Sequence, residues 1–214
     1  MRTIISIGLI SLVSLGTMAQ SKRTVSFGIT GGVNLSNING KTATGAQLDN
    51  KLRTGFNAGL NAQIPLSNGF YLQPGVEYRQ KGSEFRNGGE LVLGYIDIPV
   101  TFVYKPSLGT GAVVLGFGPY LGLGVHGKVI DANGSERKVQ FRNTYSVSEA
   151  EDVQFKRIDA GANFMAGYEF SNKISAMLNT QLGLVNINPE TNIPGDETRY
   201  RNTSFGLSLG YRFN

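Results

Sequence analysis

The sequence predicts an all-β protein: an eight-stranded antiparallel up-and-down transmembrane β-barrel. Three observations carry that expectation. Apolar residues recur at every second position in eight separate stretches, the period of a strand with one apolar face. The connections between stretches alternate long and short, as in barrels whose short turns lie on one side of a membrane. Large aromatics (Phe70, Tyr104, Tyr168, Phe170, Tyr211 and Phe213) collect at the short-connection ends. Amphipathic rings prefer that headgroup depth.

Composition points the same way. Only 16% of the 214 residues are charged, below the ~25% usual for soluble domains. A barrel with alternating lipid-facing and polar positions averages to such values. The 29 glycines disfavour long helices. With no cysteine, disulfides, thiolate metal sites and thiol nucleophiles are excluded. The formal charge is +5, but the basic residues are scattered and match no binding motif. Nucleic acid is therefore not an expected partner; outer-membrane lipid is, and no cofactor is indicated.

Residues 1–19 have the form of a signal peptide. Arg2 supplies the positive start, Ile4 to Leu15 the apolar core, and Thr17-Met18-Ala19 a small-x-small cleavage motif. The apolar run is shorter than the ~20 residues of a spanning helix. Cleavage is expected near Ala19, leaving residues 20–214 as one barrel domain.

The first strand sets Val25, Phe27, Ile29, Val33 and Leu35 against Ser26, Gly28, Thr30, Gly32, Asn34 and Ser36. Residues 37–52 then read as a polar loop. Phe56, Leu60, Ile64 and Leu66 mark the second strand, and Ser67-Asn68-Gly69 is a hairpin signal. The third strand carries Phe70, Leu72, Pro74, Val76 and Tyr78 opposite Tyr71, Gln73, Glu77, Arg79 and Lys81. After a loop over 82–90, Ile96, Ile98, Val100, Phe102 and Tyr104 oppose Tyr95, Asp97, Thr101 and Lys105.

The fifth strand alternates Val113, Leu115, Phe117, Leu121, Leu123 and Val125 with Gly116, Gly118, Tyr120, Gly122, Gly124 and His126. The longest loop, 129–154, follows. The sixth strand opposes Ile158, Phe164 and Phe170 to Arg157, Asp159 and Glu169; the seventh opposes Ile174, Leu178 and Leu182 to Lys173, Asn179 and Gln181. A loop over 188–200 leads into Ser204 to Phe213, where Phe205, Leu207, Leu209, Tyr211 and Phe213 share one face. This last strand must pair with the first to leave no edge.

The polar faces are rich in Gly, Ser and Asn, which suit a narrow lumen better than a solvated surface of ~25–35% charge. The apolar faces therefore belong to lipid, and a soluble barrel with an apolar interior is the structural alternative. Parity then puts Glu77, Arg79, Lys81, Asp97, Arg157, Asp159, Glu169, Lys173 and Arg212 in the lumen. Eight strands leave an interior just wide enough for side chains, so these charges read as a salt-bridged filling more than a pore. Arg212 needs a carboxylate such as Glu169 nearby.

Other motifs weigh less. Gly122 to Lys128 nearly spells a phosphate loop, but Val129 stands where a Ser or Thr is needed and no helix follows. Asp131-Ala132-Asn133-Gly134-Ser135-Glu136 lacks the full spacing of a calcium loop. His126, the one histidine, has no adjacent nucleophile, and parity aims it at the lumen. Pro74, Pro99 and Pro119 each remove a ladder donor, so bulges or local distortion are expected there.

Three stretches, Tyr95-Ile96-Asp97-Ile98-Pro99-Val100, Gly118-Pro119-Tyr120-Leu121-Gly122 and Arg201 through Phe213, resemble the porin-family (PorT-like) outer-membrane β-barrels of the Bacteroidota. That resemblance implies a Gram-negative outer membrane and no assigned activity. The expected role is structural or binding, with mobile loops facing outward and loop 129–154 as the partner contact. Alternatives are a small-solute porin and, less favoured, a lipid-modifying enzyme using His126. Lipid A deacylase barrels use His-x-Ser, where this chain has His126-Gly127-Lys128.

Overall fold

A computed structural model of the protein describes residues 24–144, 153–190 and 195–213. The expected signal peptide, the middle of loop 129–154 and part of the last loop lie outside the described residues. Among those described, the strands are β1 (Ser26–Lys41), β2 (Arg53–Ser67), β3 (Phe70–Glu84), β4 (Glu90–Tyr104), β5 (Ser107–Leu108) and β6 (Gly111–Ile130). They continue as β7 (Glu136–Phe141), β8 (Val153–Phe155), β9 (Ile158–Glu169), β10 (Ile174–Gly183) and β11 (Arg199–Arg212).

Eight long strands form the barrel wall in the order β4-β3-β2-β1-β11-β10-β9-β6, and β6 returns to β4 to close it. All wall pairings are antiparallel. The first strand meets the last from Gly28↔Arg212 to Lys41↔Arg199. Closure leaves no wall strand with an unpaired edge, which a lipid environment demands. Strand β5 lies in the β4–β6 turn, while β7 folds back on β6 and pairs in parallel with β8.

The barrel is inside-out relative to a soluble protein. Leu60, Leu178 and Leu209 are each more than 60% exposed on the outer face, whereas Arg79, Lys81, Asp97 and Asp159 are at most 2% exposed inside. A contiguous apolar surface of this extent needs lipid rather than water against it. At the short-turn end, Phe70 stacks on Tyr104, Tyr168 meets Phe170 and Tyr211 meets Phe213 edge-on. Nearer the long loops, Phe56 touches Tyr78 and Tyr78 stacks on His126. Between Phe70 and Tyr78, β3 runs about 27 Å at 3.4 Å per residue. A 35–45° tilt turns that into about 20 Å of depth, near the ~25 Å band of outer-membrane barrels.

Register slips at two places, between Pro65 and Ser67 in β2 and at Gly94/Tyr95 in β4 against β6. At Pro74, Pro99 and Pro119 there is no bulge. The β3–β4 ladder passes from Pro74↔Val100 to Glu77↔Asp97, and β4–β6 from Pro99↔Tyr120 to Phe102↔Phe117, in unchanged register. A lost donor interrupts the ladder without inserting a residue.

The wall extends beyond its expected limits at the long-loop end. There β1 reaches Lys41, β3 reaches Glu84 and β4 begins at Glu90. Along these extensions the two faces exchange chemistry. Ile38, Leu91, Leu93, Tyr95 and Val129 point inward and join Val139, Phe155 and Ile187 in one buried apolar cluster. Asn39 and Lys128 stand exposed or half-exposed on the outer face.

Candidate functional site

The inward side chains form a continuous polar column capped by that apolar cluster. At the short-turn end, Glu169 accepts from Lys105 Nζ at 2.7 Å and from Arg212 Nε at 3.5 Å. Arg212 also reaches Ser26 and Asn61, and Lys105 donates to Gln63. These contacts link β1, β2, β9, β11 and the β4 end, so one carboxylate ties together strands from across the lumen.

Midway, Arg79 lies 2.5 Å from Glu77 and 3.9 Å from Asp97, and it donates to Asn179 and Ser204. Asn57 bridges Glu77 and Ser208. Small side chains at Gly59, Gly75 and Ser208 leave a cavity of about 80 Å³ beside this layer. That is room for several waters, enclosed by side chains above and below.

Higher still, Lys81 is the centre. Its ammonium lies 3.1 Å from Asp97 and 3.0 Å from Asp159, with the Tyr95 and Tyr120 rings 4.9 and 4.4 Å away. Asp159 also accepts from the Tyr120 hydroxyl at 3.1 Å and the Asn202 amide at 3.0 Å. A lysine this buried is retained only where partners offset its desolvation. The three resemblance-bearing stretches, far apart in the chain, meet here: Tyr95, Asp97 and Tyr120 face Lys81, and Asn202 joins them through Asp159.

Arg53 pairs with Glu90 at 2.8 Å near the mouth. Above this, Phe141 sits over Gly124, where an added Cβ would fall 2.4 Å from the ring, and edge-on to Tyr95. Phe155, Ile187 and Ile38 fill the rest. The described parts of the long connections are thus packed into a lid: Lys156 N donates to the Ile187 carbonyl and Arg142 N to the Phe155 carbonyl.

Of the charged residues placed in the lumen by parity, Glu77, Arg79, Lys81, Asp97, Asp159, Glu169 and Arg212 are in this column. Arg157 and Lys173 are not. Strand alternation breaks between β8 and β9, so Arg157 turns outward, its guanidinium 5.8 Å over the Phe141 ring. Lys173 occupies the β9–β10 turn at φ +65°, exposed, where strand parity no longer applies. Lys105, Arg53 and Glu90 were not among the charges placed in the lumen: Lys105 and Arg53 continue the inward parity of their strands to the very end, whereas Glu90 stands on the opposite parity from inward Leu91 and meets Arg53 at the rim.

His126 is a second correction. It stands exposed on the outer face, not in the lumen. The slip at Gly94/Tyr95 inserts one residue on β6, which reverses the parity of everything beyond Val125. The imidazole lies across Gly94, where a Cβ would come within 2.3 Å of Nε2, and Nε2 is 2.8 Å from the Tyr78 hydroxyl.

This inside-out, closed architecture accords with the sequence comparison. The family described as outer membrane protein beta-barrel domain matches residues 18–188. The chain belongs to that family. It is an outer-membrane β-barrel protein of the Gram-negative envelope. No curated protein matches the sequence. Among solved structures, OprG from Pseudomonas aeruginosa is 12% identical, covers 92% of this chain and 100% of its own, and superposes with a TM-score of 0.51. Neisserial surface protein A is 13% identical over 89% of this chain and 99% of that one, TM-score 0.48. Ail of Yersinia pestis, solved with the heparin analogue sucrose octasulfate, is 16% identical over 88% and 99%, TM-score 0.44. At 12% identity the likeness to OprG concerns the fold alone.

Proposed function

We propose that this outer-membrane barrel is non-conducting and acts as a structural or binding scaffold, presenting its long connections to the exterior. The observation that supports it is the occupied lumen. Arg53, Arg79, Lys81, Lys105 and Arg212 are matched by Glu90, Glu77, Asp97, Asp159 and Glu169, and the apolar lid lies across the mouth. A solute path would have to break several of these pairs at once, each break leaving a charge uncompensated at about 3–5 kcal/mol. In planar-bilayer recordings the protein should show no steady conductance, and a large stable channel would overturn this reading.

Within the same proposal the chain is a PorT-like member of the family, on the three stretches that converge at Lys81, and partners are met through residues 129–154. The two ends of that segment, in β7 and β8, hold the lid, and loops on rigid scaffolds commonly carry recognition. Replacing residues 143–152 by a short glycine linker should leave the barrel folded and abolish surface crosslinking to its partner. Unchanged crosslinking would reject the assignment. The proposal includes no catalytic activity: among the described residues the hydrogen-bond partner of His126 is Tyr78, a group that supplies neither the nucleophile nor the orienting carboxylate of acyl-transfer chemistry.

A further inference from the structure

The parity reversal that turns His126 outward also turns out Lys128, and β7 sets Lys138 directly opposite Lys128 across the ladder. Like charges facing each other across a strand pair destabilise it. Glu136 meets one of them, 2.5 Å from Lys128 Nζ, and Arg137 is engaged by Asp131 at 3.0 Å. Lys138 has no ion-pair partner among the described residues. Together with Gln80, Val92 and His126, these side chains line an open outer-face groove of about 510 Å³.

The depth of this groove says what it faces. Tyr78 and His126 form the aromatic row at the long-loop edge of the apolar band, with Val125 and Leu123 exposed to lipid directly below. Lys128 is two residues further along β6, roughly 7 Å beyond the aromatic row at strand rise. Headgroup phosphates lie at that level. The groove is cationic, opens sideways and continues downward into the lipid-facing surface, a shape that suits a molecule with a phosphate head and acyl tails.

We propose that the Lys128–Lys138 groove is a binding site for a phosphate-bearing lipid headgroup in the leaflet next to the long loops. The phosphate relieves the cross-strand repulsion of the two ammonium groups. The Gly94-seated His126 ring forms the floor beneath the headgroup. Arg199 and Arg201, exposed outward at the same end of β11, provide a control: they carry the same charge at the same rim but do not line this groove.

The test is native mass spectrometry of the purified full-length barrel in detergent, titrated with phosphatidic acid or with phosphatidylcholine. The wild type should retain one phosphatidic acid molecule and release phosphatidylcholine. Lys128→Ala/Lys138→Ala should weaken that retention about thirtyfold, on the basis of roughly one charge-headgroup contribution per lysine. Arg199→Ala/Arg201→Ala should leave it unchanged. Both lysines are surface residues, and a heat-dependent gel shift verifies that each variant is folded. Equal loss in both double variants, or no loss in the lysine variant, overturns the site. Displacement of the lipid by millimolar inorganic phosphate would also overturn it, because the groove would then hold a free anion and not a lipid.

Discussion

The lumen of the barrel body and the lid at its long-loop end are built on opposite principles within the same strands. In the body, polar and charged groups fill the interior and apolar groups face out. In the lid, Ile38, Leu93, Tyr95, Phe155 and Ile187 fill the interior, and polar groups face out. Strand β1 shows both regimes without any slip in parity: Leu35 is outward and Ser36 inward, then Ile38 inward and Asn39 outward. The difference marks where the surroundings change from hydrocarbon to water. Below that level the interior needs hydrogen-bonded pairs to hold its strands together; above it, the ordinary hydrophobic effect suffices.

The comparison is broken most severely at Lys81. Lys81→Met leaves Asp97 and Asp159 buried without their ammonium, and the barrel should lose about 3–5 kcal/mol, measured by urea titration of the heat-dependent gel shift in phosphatidylcholine vesicles. Adding Asp97→Asn and Asp159→Asn should restore most of that loss, since no carboxylate is then left unpaired. A single variant as stable as the wild type would show that the column does not hold the body together. In the lid, Phe155→Ala should cost about 3 kcal/mol, confined to that region. Amide exchange should accelerate at Val139 and Phe141 while the Asn57 and Ser208 amides stay protected. Loss of protection at all four sites would mean that lid and body unfold as one unit.

Much of the architecture was legible from alternation alone. The eight-strand count, the closing pair between first and last strands, and the inward set Arg79, Lys81, Asp97, Asp159, Glu169 and Arg212 all follow from a period of two that persists over ten or more residues. The expected proximity of Arg212 and Glu169 is present at 3.5 Å. His126 was misplaced because one inserted residue at Gly94/Tyr95 inverts every face beyond it, and nothing in the local composition marks that position. Arg157 and Lys173 were misplaced because parity was carried across a strand break and into a turn. The lid could have been found: Leu91, Leu93 and Ile38 are large apolar residues on the lumenal parity at the long-loop ends. Ile38 was instead assigned to loop 37–52, and Leu91 and Leu93 were given no face.

By itself the sequence determined which faces meet lipid and that the sheet must close, because alternation is a local property and an unpaired strand edge is intolerable in hydrocarbon. It also supplied a near balance of opposite charges for the interior. Which charge meets which was decided only by closure, since the strand carrying Lys81 lies across the lumen from the one carrying Asp159, 78 residues later. The tertiary structure likewise decided where inside-out packing ends and where His126, Lys128 and Lys138 point. Both depend on a register slip and a folded-back strand, whose free energies arise from contacts between distant segments.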